Sequence, residues 1–285
     1  MSRRPSVHDI IRKHPRENLW VQPLEWTSLH LELLNCTFED AADPEDAVER
    51  DLGEGKYVDR WARTAERLAT SEMKTVAAKK LLAEADGPLK FLRPFGYFCF
   101  GSEHEFRLHG AIFAQRSGKQ TPMFAFMQRG MIRIQREGVF PLPRPRRVNP
   151  PAELLQRLRL RRLEPSDPWR DPYILAVLVG MAQSQAQSLY SEKGSFDQSH
   201  LFKACAALVD ENNTDFMFFY TANISAAFLS KFEYPNKLRP SKETLSSELR
   251  IGCKKIPFQP FASLRGRLNR AIVSFCGKIE DSPAQ

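Results

Sequence analysis

The stretch Asp171–Tyr234 limits the fold more than any other, because punctuation residues mark every join in it. Asp171 before Pro172 opens a helix: the carboxylate can accept from unpaired first-turn amides, and proline at the first helical position loses no hydrogen bond. Ile174, Val177, Leu178 and Met181 recur at three- and four-residue spacing, the pattern of a helix that buries one face, and this predicts a helix to about Tyr190. Residues 191–199 are polar and contain Gly194, so they read as a loop. Leu201–Val209 is an apolar run of strand length, with helix as the alternative because of its alanines. Asp210-Glu211-Asn212-Asn213 forms a turn cluster, and the aromatic run Phe216–Thr221 completes a hairpin. Ser225 then caps a short helix that faces Ala226, Phe228, Leu229 and Phe232 inward and stops at Tyr234-Pro235.

The rest of the chain sorts around that unit. Residues 1–20 are polar and basic, which predicts a poorly ordered tail, and residues 278–285 form a second. Residues 21–87 read as helical: Trp20–Phe38 leans to helix, Asp43-Pro44 repeats the capping signal, and Lys56–Asp86 is the longest helical pattern, broken near Thr70-Ser71. Residues 88–140 change character. Phe95–Phe100, Phe106–Ala114, Met123–Met127 and Met131–Gln135 are predicted strands of an antiparallel sheet or meander, with turns at Gly101-Ser102, Ser117-Gly118 and Arg129-Gly130. Residues 141–151 are rich in proline and arginine and read as an extended connector. Residues 152–277 form the α+β C-terminal region, one compact domain with 88–140. Within it Glu153–Leu163 is helix-prone, 236–250 a polar loop, Ile251–Phe258 a short strand and Phe261–Gly277 a closing basic helix. The expected fold class is therefore α+β: a helical N-terminal region, a central antiparallel sheet and a C-terminal helix–hairpin–helix unit.

Bulk properties narrow the class. At 285 residues and 42% hydrophobic, the chain can bury a substantial core. Five dispersed cysteines with no C-x-x-C pair fit a reducing compartment and exclude a zinc ribbon. No apolar run follows the N-terminus and none is long enough to span a bilayer, so the expected setting is intracellular, in cytoplasm or nucleus. The net charge of +8 is unevenly spread. Residues 144–170 hold eight arginines against three carboxylates, and 231–285 hold eleven basic against five acidic residues. Residues 171–230 reverse this, with two lysines against six carboxylates. The basic segments are either solvated faces complementing the acidic unit or a surface for an acidic protein or nucleic acid.

Three segments together carry a resemblance: Asp171-Pro-Tyr-Ile-Leu-Ala-Val-Leu, Phe218-Phe-Tyr-Thr-Ala-Asn-Ile-Ser-Ala-Ala-Phe-Leu-Ser-Lys-Phe, and Ile256-Pro-Phe-Gln-Pro-Phe before a basic helix. Over roughly residues 90–275 the chain resembles an uncharacterised family of hypothetical proteins from filamentous fungi. The resemblance implies a eukaryotic, intracellular setting and an accessory role, and it transfers no site residue.

Candidate chemistry is sparse. His104-Glu105-Phe-Arg-Leu-His109 lacks the i, i+4 spacing that puts two imidazoles on one helix face around zinc, and on a strand its histidines point to opposite faces. A nuclease that binds Mg²⁺ through an Asp and a D/E-x-K pair needs those groups on adjacent strands. The E-x-K spelling Glu72-Met-Lys74 falls in a helical segment. Cys205 near His200 reads as a small core side chain rather than a nucleophile. Phosphate-cradling and nucleophile-elbow motifs are missing, so no cofactor and no metal are expected. The candidate binding residues are Arg144, Arg146, Arg147, Arg157, Arg159, Arg161 and Arg162, with Arg265, Arg267 and Arg270 on the closing helix. They could clamp phosphates or acidic side chains. The expectation is a non-catalytic binding or accessory protein, with a divergent metal-dependent nuclease-like enzyme as the alternative.

Overall fold

The computed structural model describes residues 12–14, 19, 21–41, 56–84, 87–101, 104–116, 120–142, 149–233 and 248–277. Among them are a 3₁₀ turn (Pro23–Glu25) and eight helices: α1 (Ser28–Leu34), α2 (Lys56–Thr70), α3 (Lys74–Ala83), α4 (Arg129–Val139), α5 (Pro150–Leu163), α6 (Pro172–Lys193), α7 (Ala226–Glu233) and α8 (Phe261–Cys276). The strands are β1 (Cys36–Asp40), β2 (Leu89–Phe100), β3 (His104–Gln115), β4 (Pro122–Gln128), β5 (Leu201–Val209), β6 (Phe216–Ser225) and β7 (Leu249–Pro257). All seven strands join one sheet in the order β1-β7-β6-β5-β4-β3-β2, and the protein is α+β.

The sheet is mixed rather than antiparallel, which corrects the sequence expectation. β4 runs parallel to β5, with Gln128 beside Val209, and β1 runs parallel to β7. Hairpin signals are local, whereas these pairings span long crossovers: among the described residues the chain between β4 and β5 holds three helices, the length a parallel connection requires. Three other expectations change. Arg129-Gly130, read as a turn, opens the helix α4. Met131–Gln135 lies in α4, where Ile132 and Arg136, four apart, are the buried positions, so the short apolar run is one helix face and not a strand. Trp20–Phe38 is not one helix: α1 stops at Asn35, which takes a left-handed φ of 57°, and β1 begins at Cys36. The polar loop expected at 236–250 and the N-terminal and C-terminal tails lie largely outside the described residues, as does the Asp43-Pro44 helix start.

Each strand from β2 to β7 feeds two cores. Along β5, Ala204, Ala206 and Leu208 join the core around α6, while Cys205, Ala207 and Val209 join the opposite one with α2, α3 and α8. α6 is the reason for the alanines. Pro172–Ala182 is buried without interruption, so the helix is apolar on every side instead of one. The sheet covers one side of it, and the 3₁₀ turn, α1 and α7 cover the rest. Asp171 caps it by accepting from Tyr173 N–H at 2.9 Å, and Gly194 ends it in the left-handed region at φ 70°. Trp26, Phe98 and Phe232 close the layer, with Trp26 and Phe98 edge to face at 5.2 Å.

α6 also crosses the edge strand at close quarters. A Cβ on Gly180 would collide with the Tyr97 carbonyl oxygen. One turn on, the Gln183 amide accepts from Cys99 N–H at 2.9 Å and donates to Cys99 C=O at 2.8 Å, as a neighbouring strand would. Gly180→Ala is expected to destabilise the fold by about 1–3 kcal/mol, because backbone cannot give way as a side chain can. The midpoint of urea denaturation checks it.

His30 supplies a pH-dependent contribution. Its Nδ1 accepts from Thr27 N–H at 3.0 Å, and the ring stacks on Trp26 at 5.8 Å. Burial pushes its pKa down from 6.5 to about 4. The unfolded chain therefore takes up the proton first, so stability is full above pH 6.5 and falls as the pH drops towards 4. The expected loss is about 3 kcal/mol. Chemical denaturation at a series of pH values should show that slope flattened in His30→Asn.

Candidate functional site

The arginines that the sequence groups together do different work. On α5, Asn149 caps the first turn by accepting from Ala152 N–H at 3.2 Å, and Pro150 and Pro151 occupy its first positions. The connector is therefore shorter than 141–151, since a helix begins inside it. α5 touches the body through few groups: Leu163 is buried, and Gln156 Nε2 donates to Phe140 C=O at 2.7 Å. Arg157, Arg159, Arg161 and Arg162 are all exposed, and Arg159 alone reaches an aromatic ring, at 5.6 Å from the Phe140 centroid. Arg144, Arg146 and Arg147 lie outside the described residues. Between the arginines stand Leu154, Leu155 and Leu158 at 54, 49 and 46% exposure. At 100° per residue these leucines fall within one third of the helix circumference, with Arg161 and Arg162 among them.

On α8 two of the three candidates are committed to the fold. Arg265 lies 4.0 Å over the Trp61 ring and donates to Leu81 C=O at 3.1 Å, tying α8 to α2 and α3. Arg267 donates to the carbonyls of Pro257, Phe258 and Pro260 at 2.8, 3.1 and 3.3 Å and so fastens the link from β7. Arg270 is exposed. Sequence alone cannot separate these uses, because the carbonyls concerned become acceptors only once the sheet places them.

The largest concentration of buried charge lies elsewhere. Lys74, Arg136, Asp171 and Asp210 are at most 6% exposed, and all four line one cleft of about 880 Å³. It opens at the carboxyl ends of the parallel strands β4 and β5, the position where open α/β sheets usually bind ligands. Arg136 makes two 2.7 Å bonds to the Asp171 carboxylate and a third to Leu24 C=O. Arg129 meets Asp210 at 2.6 Å. Burial raises the Asp210 pKa, but the Asn212 N–H and the Arg129 guanidinium outweigh it and hold the carboxyl below its ordinary value. Glu211 accepts from Gly130 N–H at 2.9 and 3.1 Å, at the positive end of α4. Lys74 donates to the last carbonyls of α2, Leu68 at 3.1 Å and Ala69 at 2.5 Å, and burial lowers its pKa against the pull of Glu211 and Asp210.

The cleft thus gathers what the sequence scattered. Glu72 and Lys74, the E-x-K pair singled out above, line it together with Asp210 and Glu211. The readable signal was the acidic turn that ends β5, though nothing in the chain shows that β4 ends where α3 begins. Each of Lys74, Asp210 and Glu211 is engaged within the protein, and among the described residues no three His, Cys, Asp or Glu side chains stand as a metal-binding group. His109 sits in β3, where its backbone N–H donates to the Tyr173 hydroxyl at 2.6 Å.

Removing one partner of the Arg136–Asp171 pair leaves a buried charge unmatched. Arg136→Met is expected to cost about 3–5 kcal/mol, against less than about 0.5 kcal/mol for Arg157→Ala on the open face of α5. Denaturation midpoints of the two variants make the comparison. No family model matches this chain, and no curated protein matches it.

Proposed function

We propose that the protein is a non-catalytic binding protein in which α5 seats an acidic, amphipathic segment of a protein partner. The observation that carries the proposal is the open face of α5, where three leucines about half exposed alternate with arginines. Apolar side chains grouped in this way on one exposed face mark a contact surface. Four exposed arginines against the single acidic residue of the helix, Glu153, select negative charge in whatever covers them. Leucines speak for protein rather than nucleic acid, because phosphates would neutralise the arginines and leave the leucines wet. An intracellular setting and kinship with the fungal family belong to the same proposal.

A second reading, the nuclease-like enzyme, draws support from the meeting of Glu72, Lys74, Asp210 and Glu211 at the carboxyl ends of β4 and β5. It ranks behind because its ammonium and two of its carboxylates are already bonded to the protein. Mg²⁺-dependent cleavage of DNA or RNA that disappears in Asp210→Ala would promote it.

The test is fluorescence anisotropy with labelled peptides in which acid content and leucine content vary independently. The peptide rich in both should bind tightest. Leu154→Ser/Leu158→Ser should weaken it about tenfold at fixed salt. Arg161→Glu/Arg162→Glu should remove the salt dependence. If an oligonucleotide binds and the leucine substitutions leave its affinity unchanged, the surface is a nucleic-acid site and the proposal is wrong.

A further inference from the structure

Two thiols far apart in sequence meet where α8 ends. Cys205 lies at the centre of β5 and is fully buried, on the face that joins the core beneath α8. Cys276 is the last residue of α8 and is partly exposed. Their sulfurs are 4.0 Å apart, and the Cys205 thiol also lies 3.4 Å from Met123 C=O, an acceptor on β4. Of the five cysteines, Cys36, Cys99 and Cys253 enter no such pair among the described residues. Lys203 stands on the same face of β5 two residues before Cys205, its ammonium 5.9 Å from the Phe275 ring centroid.

We propose that Cys205 and Cys276 are a peroxide-responsive dithiol that closes to a disulfide and fastens the end of α8 to the sheet. The reaction has two steps. The Cys276 thiolate attacks the distal oxygen of a hydroperoxide; the O–O bond breaks, the Cys276 sulfur is oxidised to a sulfenic acid, and the leaving oxygen departs as hydroxide or alkoxide. The Cys205 sulfur then displaces the sulfenic oxygen: an S–S bond forms, the S–O bond breaks, and the oxygen leaves as water with the Cys205 proton. The peroxide is reduced by two electrons and the two thiols supply them.

The roles follow from position. Cys276 is the sulfur a soluble oxidant can reach, and its thiol is lowered by the hydrogen bond with Cys205 and by the charge of Lys203, in spite of burial. Cys205 cannot meet the oxidant, and burial raises its thiol well above the ordinary value, so it resolves the sulfenic acid rather than forming one. Side-chain rotation and a small advance of the last helical turn bring the sulfurs to bonding distance; α8 ends there at Gly277, with φ 81°. Reduction by a dithiol reverses the change.

The experiment uses the full chain, reduced and then treated with hydrogen peroxide at neutral pH. Intact mass should fall by the two hydrogens of one disulfide. Peptide mapping without reductant should join the Cys205 and Cys276 peptides, and dithiothreitol should part them. Cys276→Ser, at the less buried position, should abolish the link. Cys205→Ser should leave a sulfenic acid at Cys276 that dimedone traps, provided the variant melts like the parent; if it does not, the peptide map of the parent decides alone. Oxygen addition at Cys276 with no cross-linked peptide would overturn the proposal. So would a disulfide that persists in Cys276→Ser or that involves Cys99 in the parent chain.

Discussion

One carboxylate ties together three parts of the chain that share no local sequence signal. Asp171 accepts two bonds from Arg136 of α4 and a third from the first turn of α6, while Arg136 passes its remaining bond to Leu24 in the 3₁₀ turn. The pair lies within a few per cent of complete burial. An ion pair so placed adds little to net stability compared with a well-packed apolar contact, but it tolerates only one arrangement of its neighbours. It therefore sets where α6 starts, and the start of α6 sets everything behind it. A helix buried on all sides for eleven residues has no surface on which to slide. Its contact with β2 at Gly180 then fixes the edge of the sheet, and the alanines of β5 let it lie close to the sheet's centre.

The parts of this fold that could be read from sequence are those whose causes are local. Asp171-Pro172 caps α6, Ser225 accepts from Phe228 N–H and caps α7, and the break near Thr70-Ser71 separates α2 from α3. The signals missed were those with two physical meanings. Met131–Gln135 has the composition of a strand and the spacing of a helix face, and only burial of Ile132 and Arg136 decides between them. The parallel pairing of β4 with β5 has no short-range signature at all, since the intervening helices speak for themselves and not for the strands they connect. The three segments Asp171–Leu178, Phe218–Phe232 and Ile256–Phe261, on which the resemblance rests, fall at the opening of α6, along β6 into α7, and from β7 into α8, all of them framework.

The same distinction explains the arginines. A guanidinium has five donors and seeks carbonyl oxygens as readily as phosphates, so an arginine count measures capacity and not purpose. Arg265 and Arg267 spend that capacity on the ends of structural elements, and Arg129 and Arg136 spend theirs on buried carboxylates. The arginines of α5 lie on a helix that touches the body through few groups, and the leucines beside them are what distinguishes that face from an ordinary solvated one. In the cleft, by contrast, Lys74 and Asp210 are buried, and both of them, like the exposed Glu211, are already bonded within the protein. Such a cluster holds loops in place at the sheet's end, where three connections must converge without a core to support them.

The Gln183 amide on the outer edge of β2 bears on how this protein behaves at high concentration. An open edge strand offers its free N–H and C=O groups to any other strand, its own copies included. Here the side chain completes the ladder at Cys99, and α6 crosses the backbone one turn away. The opposite edge, β1, is only five residues long and ends in Glu39-Asp40. Each margin of the seven-stranded sheet thus carries one of the devices that make an edge a poorer template for further strands, a capped position on β2 and a short, acidic end on β1.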